Sequence, residues 1–112
     1  MLPKDYRLRL DKDIKMLFSQ GKSIFGVIIG VKYKPNHLKN SRFAIVIGKK
    51  ISKKAVIRNR LRRQISAILY EELKKFKINY DLIILVRPNI INKKRDEIKE
   101  DLFKIFKKIS IL

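Results

Sequence analysis

Lys49-Lys50-Ile51-Ser52-Lys53-Lys54-Ala55-Val56-Ile57-Arg58-Asn59-Arg60-Leu61-Arg62-Arg63-Gln64-Ile65 carries eight Lys or Arg and no acid. Like charges one helical turn apart repel by roughly 0.2–0.5 kcal/mol per pair, so stability alone would favour some Glu among them. None occurs, and the concentration points to an anionic ligand. Ile57, Leu61, Ile65, Ile68, Leu69, Leu73 and Phe76 recur at spacings of three or four, which predicts an amphipathic helix from about Lys54 to Lys77 with one core-facing stripe. The basic groups are then mounted on a rigid rod.

On that rod Arg58 stands one turn before Arg62, and Asn59 one turn before Arg63, with Arg60 further round. The arginine fork matches phosphate bidentately and stacks on bases, while Asn59 can read a base edge or a ribose hydroxyl. The bland alternative is a solvated face laced with ion pairs, but the acids for such pairing are missing locally. A phosphate-binding face is the better expectation.

Working outward, Phe43-Ala44-Ile45-Val46-Ile47 is apolar on both faces and predicts a strand central in a covered sheet, which Gly48 releases into the basic loop. Downstream, Asp81-Leu82-Ile83-Ile84-Leu85-Val86-Arg87 predicts a second buried strand, ended by Pro88. A last helix is expected over about Lys93 to Ile109, with Ile98, Leu102, Phe103, Ile105, Phe106 and Ile109 on its buried side. Asp96, Glu97, Glu100 and Asp101 fit as helix-dipole partners and solvated surface. Glu71 and Glu72 are expected to balance Lys74 and Lys75.

Upstream, Ile24 to Lys34 is rich in β-branched residues and predicts one strand, in which Gly26 and Gly30 signal a bend, bulge or close backbone approach. The segment Pro35 to Asn40 reads as a turn. Asp11 is a plausible N-cap for a short helix ending near Gln20 before Gly21, with Ile14, Leu17 and Phe18 sharing a face. Residues 1–10 show no period and predict an extended, partly mobile arm. The pattern is α+β with a single small sheet and three helices, in one domain spanning residues 1–112.

The 112 residues include 46% apolar ones, enough for a modest core, and carry a formal net charge of +19. Such a charge calls for a polyanion: RNA, DNA or, least plausibly, an anionic membrane surface. No run of about 18 apolar residues occurs and the N-terminus mixes Lys4, Asp5, Arg7 and Arg9, so the chain reads as cytoplasmic. The absence of cysteine excludes thiolate chemistry and disulfides. The single histidine, His37, sits in a turn-rich stretch as an exposed loop residue. A two-metal nuclease needs several converging carboxylates, and the ten acids here are poorly placed for that. Neither catalytic nor metal-ligating residues are expected of the chain.

Lys49-Lys50 followed by Ala55-Val56-Ile57-Arg58-Asn59-Arg60-Leu61-Arg62-Arg63-Gln64-Ile65 resembles the Arg-Asn-Arg signature of the bacterial ribonuclease P protein subunit family. The resemblance spans nearly the whole sequence. It implies a ribosomal-protein-S5-domain-2-like fold with a left-handed β-α-β crossover, and a monomer within a 1:1 ribonucleoprotein whose catalytic component is RNA. By that resemblance the partners are ribonuclease P RNA and precursor tRNA, with no membrane. The protein would assist removal of the 5′ leader, with Mg²⁺ bound mainly by the RNA.

Carried over residue by residue, Lys49, Lys50, Lys53, Lys54, Arg58, Asn59, Arg60, Arg62 and Arg63 would bind the catalytic RNA. Ile14, Phe18, Lys32, Tyr33 and Arg87 would line a cleft for the single-stranded leader. Three positions depart from the family pattern. Ile14 stands where an aromatic residue is common, Ser52-Lys53-Lys54 replaces a small, Gly-containing stretch, and Tyr33 lies one residue from the expected aromatic. Charge and size fit a small ribosomal or general RNA-binding protein equally well. A DNA-binding architectural protein fits less, for want of minor-groove arms or a dimer motif.

Overall fold

In the computed structural model, which describes residues 2–72, 75–76 and 78–109, parallel pairing of two distant strands sets the architecture. Strands β1 (Lys22–Phe25), β2 (Ile29–Pro35), β3 (Arg42–Val46) and β4 (Tyr80–Val86) form one sheet in the order β1-β2-β4-β3. β1 and β2, and β2 and β4, are antiparallel, whereas β3 and β4 run parallel. The helices are α1 (Asp11–Gln20), α2 (Ala55–Glu72) and α3 (Arg95–Ile109), and α2 joins the parallel pair as a β-α-β unit. This is the expected α+β class, with one small mixed sheet and three helices.

Alternation along the strands divides the core in two. Val31, Phe43, Leu82 and Ile84 face α2 and α3, where Leu61, Ile65, Ile68 and Leu69 meet Ile98, Leu102, Ile105 and Phe106. On the opposite face Ile83 packs with Leu17 of α1 and Leu8, flanked by Ile14, Ala44 and Leu85. Burying each such side chain fully contributes about 1.5–3 kcal/mol, and Ile83 and Ile84, both at 0% exposure, show why β4 is apolar throughout. Both sides of the sheet are covered there.

Several expectations need correction. The segment 24–34 is not one strand but a hairpin, since β1 ends at Phe25 and β2 begins at Ile29. Its turn is held from afar: Asp101 of α3 accepts hydrogen bonds from the amides of Val27 (3.0 Å), Ile28 (2.9 Å) and Ile29 (2.9 Å). A Cβ on Gly26 would lie 2.5 Å from Asp101 Oδ2, so only glycine lets the carboxylate approach. Asp101 is thus a buried latch rather than solvated surface, while Asp96 and Glu97 do occupy the first turn of α3.

β3 is an edge strand, not a central one. Phe43 is buried on one face and Ala44 is half-buried on the other, which is why the local sequence looks central, while strand order is fixed by pairing with β4. The first residues are docked rather than loose. Leu2 and Leu8 are buried, a 3₁₀ turn spans Lys4–Tyr6, and the Leu8 amide donates to the Phe43 carbonyl at 2.9 Å beside the free edge of β3.

Asp11 is the first residue of α1, whose N-cap is Leu10 without a side-chain cap. The helix ends at Gln20 as expected, but Phe18 is exposed rather than sharing Leu17's burial. Lys54 precedes α2 rather than opening it. α2 is described as far as Glu72, and Phe76, expected on its apolar stripe, is not helical; Leu73, Lys74 and the expected helix end at Lys77 lie outside the described residues. Phe76 packs edge-on against Phe106, with ring centroids 5.2 Å apart. α3 begins at Arg95, after a 3₁₀ turn over Pro88–Asn92, so Lys93 and Lys94 precede it.

Glu71 pairs with Arg95 (2.6 Å) and Lys99 (3.4 Å), pinning α2 to α3, and Glu72 pairs with Lys75 at 3.2 Å. Its hydrogen bond from Arg95 holds the Glu71 carboxyl below its ordinary value. The contribution of that pin is therefore present above the ordinary carboxylate range and lost as pH falls through the lowered value. At the other end of the sheet, Arg42 donates to both oxygens of Asp81 (Nε 2.8 Å, Nη2 2.6 Å) and reaches Asp13 of α1 at 3.4 Å. Asn36 adds a hydrogen bond to Asp81 Oδ1 at 2.9 Å, so the Arg42–Asp81 pair joins β3, β4, α1 and the loop after β2. These bonds raise the Arg42 pKa.

Candidate nucleic-acid interface

The loop into α2 is exposed and rich in charge. The Ile51 amide closes a turn on the Gly48 carbonyl at 3.0 Å, and Ile51 is buried, so Lys49 and Lys50 project from an anchored turn. Ser52, at the departure from the family pattern, accepts the Lys54 amide on its hydroxyl at 3.1 Å. Its carbonyl accepts from Arg58 Nη1 at 2.8 Å, which folds the loop back onto the helix. Arg58 is accordingly half-buried, with part of its fork committed to structure, while Asn59, Arg60 and Arg63 are exposed.

Within α2 the stripe of Leu61, Ile65, Ile68 and Leu69 is buried as the spacing requires, leaving the arginines on the outer flank. Arg62 reaches the free edge of β3. There it meets Arg7 and Arg9 around a cavity of about 220 Å³ floored by Leu8, Phe43, Ala44 and Ile45. Arg7 is fixed by a hydrogen bond from Nε to the Leu2 carbonyl at 2.6 Å. Nothing in the local sequence joins residues 7 and 9 to residue 62. Only the docking of the N-terminal segment on β3 does so.

A second surface lies on the sheet face that α1 covers only in part. Phe18 is 45% exposed, which excludes simple core packing, and Lys32 lies over its ring at 5.2 Å while donating to the Phe18 carbonyl at 3.2 Å. Lys32 pairs with Ile83, whose side chain packs against Leu17, and so points to this face. Arg87 leaves β4 on the same side, with its guanidinium 5.4 Å from the Phe25 ring.

Ile14 is half-buried against Leu8, Leu17 and Ile83, beneath the surface rather than on it. Tyr33 is on the wrong face. It packs into the larger core beneath α2 and α3, edge-on to Tyr80 with ring centroids 5.8 Å apart, because side chains alternate and Lys32 takes the open side. Sequence reading missed Phe25 and Val46, both exposed apolar residues whose partners Gly30 and Leu85 place them on the open face.

A mixed four-stranded sheet with an acid-free arginine face on its crossover helix, and cations laid over aromatic rings on its open side, defines a small basic α+β protein. The family model described as Ribonuclease P matches residues 2–110, and the chain belongs to that family. A Ribonuclease P protein component from Syntrophomonas wolfei is 33% identical over 111 residues, covering 99% of this chain and 92% of that protein. One from Microcystis aeruginosa is 35% identical over 115 residues, covering 99% of this chain and 96% of its own.

Among solved structures, the RNase P protein from Thermotoga maritima superposes with a TM-score of 0.82 at 26% identity, covering 91% of this chain and 96% of that one. A Staphylococcus aureus RNase P protein mutant with defective mRNA degradation activity shares the fold, with a TM-score of 0.88 at 22% identity and coverage of 97% and 92%.

Proposed function

We propose that this chain is the protein subunit of a ribonuclease P ribonucleoprotein. It binds the catalytic RNA through α2 and the loop before it, and holds the single-stranded 5′ leader of precursor tRNA on the open sheet face. The observation that carries this reading is the acid-free cationic face of α2, anchored by Arg58 and Ser52 and continued by Arg62 towards Arg7 and Arg9. Lys49, Lys50, Lys53, Lys54, Asn59, Arg60 and Arg63 supply the remaining contacts. Phosphate neutralisation there gives affinity with little dependence on RNA sequence.

Phe18 and Lys32 offer a base platform and a phosphate partner side by side, and stacking tolerates the many leaders that different precursors carry. Among the described residues, no three His, Asp or Glu side chains lie close enough together to hold a metal ion. In this reading Mg²⁺ and the cleavage step belong to the RNA. The protein's part is to bind, to orient the leader and to lower the electrostatic repulsion between two RNAs. It acts in the cytoplasm as one copy per RNA.

Phe18→Ala tests the leader contact. In the reconstituted complex it should weaken precursor tRNA binding by roughly 5- to 150-fold, the loss expected for one stacked base, and leave mature tRNA unchanged. Equal losses on both would remove Phe18 from the leader path.

A further inference from the structure

Phe25 ends β1 and is 58% exposed, although its ring is far from loose. Its cross-strand partner is Gly30, and a Cβ there would lie 2.6 Å from Phe25 Cδ1, so the ring rests on bare glycine backbone. Arg87 covers it at 5.4 Å, and Arg87 is tied to the same hairpin, its amide donating to the Ile28 carbonyl at 3.0 Å. Beyond the ring opens a cavity of about 310 Å³ lined by Gly26, Val27, Asp101, Lys104, Ile105 and Lys108. Lys104 is paired with Glu100 at 3.2 Å, whereas Arg87 and Lys108 have no carboxylate within 4.0 Å among the described residues.

Covering a glycine accounts for an aromatic ring at this position, but not for a cation over its exposed face and a second across the adjoining cavity. The register supplies the rest. Lys32, which lies over Phe18, pairs with Ser23, and Phe25 is two residues further along β1 on the same face, about 7 Å away by strand rise. A single strand crossing Phe18 towards the hairpin therefore meets Phe25 next.

We propose that Phe25, with Arg87 and Lys108, is a second nucleotide-stacking subsite for the strand that Phe18 holds: an unpaired base replaces the Arg87 guanidinium on the ring face away from Gly30, and Arg87 and Lys108 take its phosphates. Asp101 positions it by fixing the turn at residues 26–29. The subsite rests on the leader-binding reading and extends it to a second nucleotide of the same strand.

The test measures affinity of the complete ribonucleoprotein, assembled with a bacterial ribonuclease P RNA, for mature tRNA and for precursors with stepwise longer leaders. Phe25→Ala and Phe25→Leu are compared with Phe18→Ala, the leucine variant keeping the glycine covered. Both Phe25 variants should lose roughly 5- to 150-fold, as for one stacked base, only once the leader passes a threshold length. The loss from Phe18→Ala should begin at a different leader length, as two bases along one strand require.

A loss from Phe25→Leu that is equal at every length and on mature tRNA, or no loss at any length, overturns the subsite. A length-independent loss on mature tRNA would instead assign the ring to the catalytic RNA or the tRNA body. If the wild-type complex itself shows no protein-dependent preference for precursor over mature tRNA, the leader-binding reading falls and the subsite with it. If Phe18→Ala loses that preference while both Phe25 variants keep it at all lengths, the subsite alone falls.

Discussion

Asp101→Ala is expected to lower the unfolding free energy by about 3–5 kcal/mol, the range for removing one partner from a buried charged network. The carboxylate accepts three backbone amides from the hairpin turn, and the alanine variant would leave those of Ile28 and Ile29 buried and unmatched. It would also open a void beside Gly26, where the carboxylate now fills the space a Cβ would take. Out of a total stability of about 5–15 kcal/mol for a domain of this kind, that is a large share. Urea unfolding of the two proteins checks it: the midpoint should fall with an unchanged slope. A variant within about 1 kcal/mol of wild type would mean that the turn forms by itself.

Replacing Arg60, Arg62 and Arg63 together by alanine should have the largest effect on RNA binding. If each guanidinium neutralises one phosphate, the slope of log affinity against log salt should become shallower by about 2–3, from roughly 0.7–0.9 per contact. Affinity at low salt should fall far more than at high salt. Arg58 is left in place because its Nη1 holds the Ser52 carbonyl, and its removal would disturb the loop as well as the charge. An unchanged slope in a folded triple variant would place the catalytic RNA elsewhere on the surface.

How far the sequence could be read depended on whether the determining contacts were local. The helix through Arg58 and the run from Leu82 to Val86 were legible because side-chain period alone specifies them. The hairpin was not, since Phe25, Gly26 and Val27 are as apolar as the strands beside them and the group that fixes the turn, Asp101, lies more than seventy residues away. Ile45 and Val46 gave no sign that β3 is an edge, because strand order comes from parallel pairing across α2.

Of the site, the charged half was visible as a run of residues. The open face depended on register. One step of alternation sends Tyr33 into the core and leaves Lys32 beside Phe18. Phe25 could have been found from the chain alone only by asking what covers Gly30. Arg7 and Arg9 join Arg62 through the docking of the N-terminal segment, which no periodicity announces.

Cleavage of precursor tRNA by a bacterial ribonuclease P RNA at low Mg²⁺, measured with this protein, without it, and with the protein alone, tests the subunit reading most directly. Stimulation in the mixture, with no cleavage by the protein alone, is the expected result. Cleavage by the protein alone, or an RNA activity that the protein leaves unchanged, would contradict it.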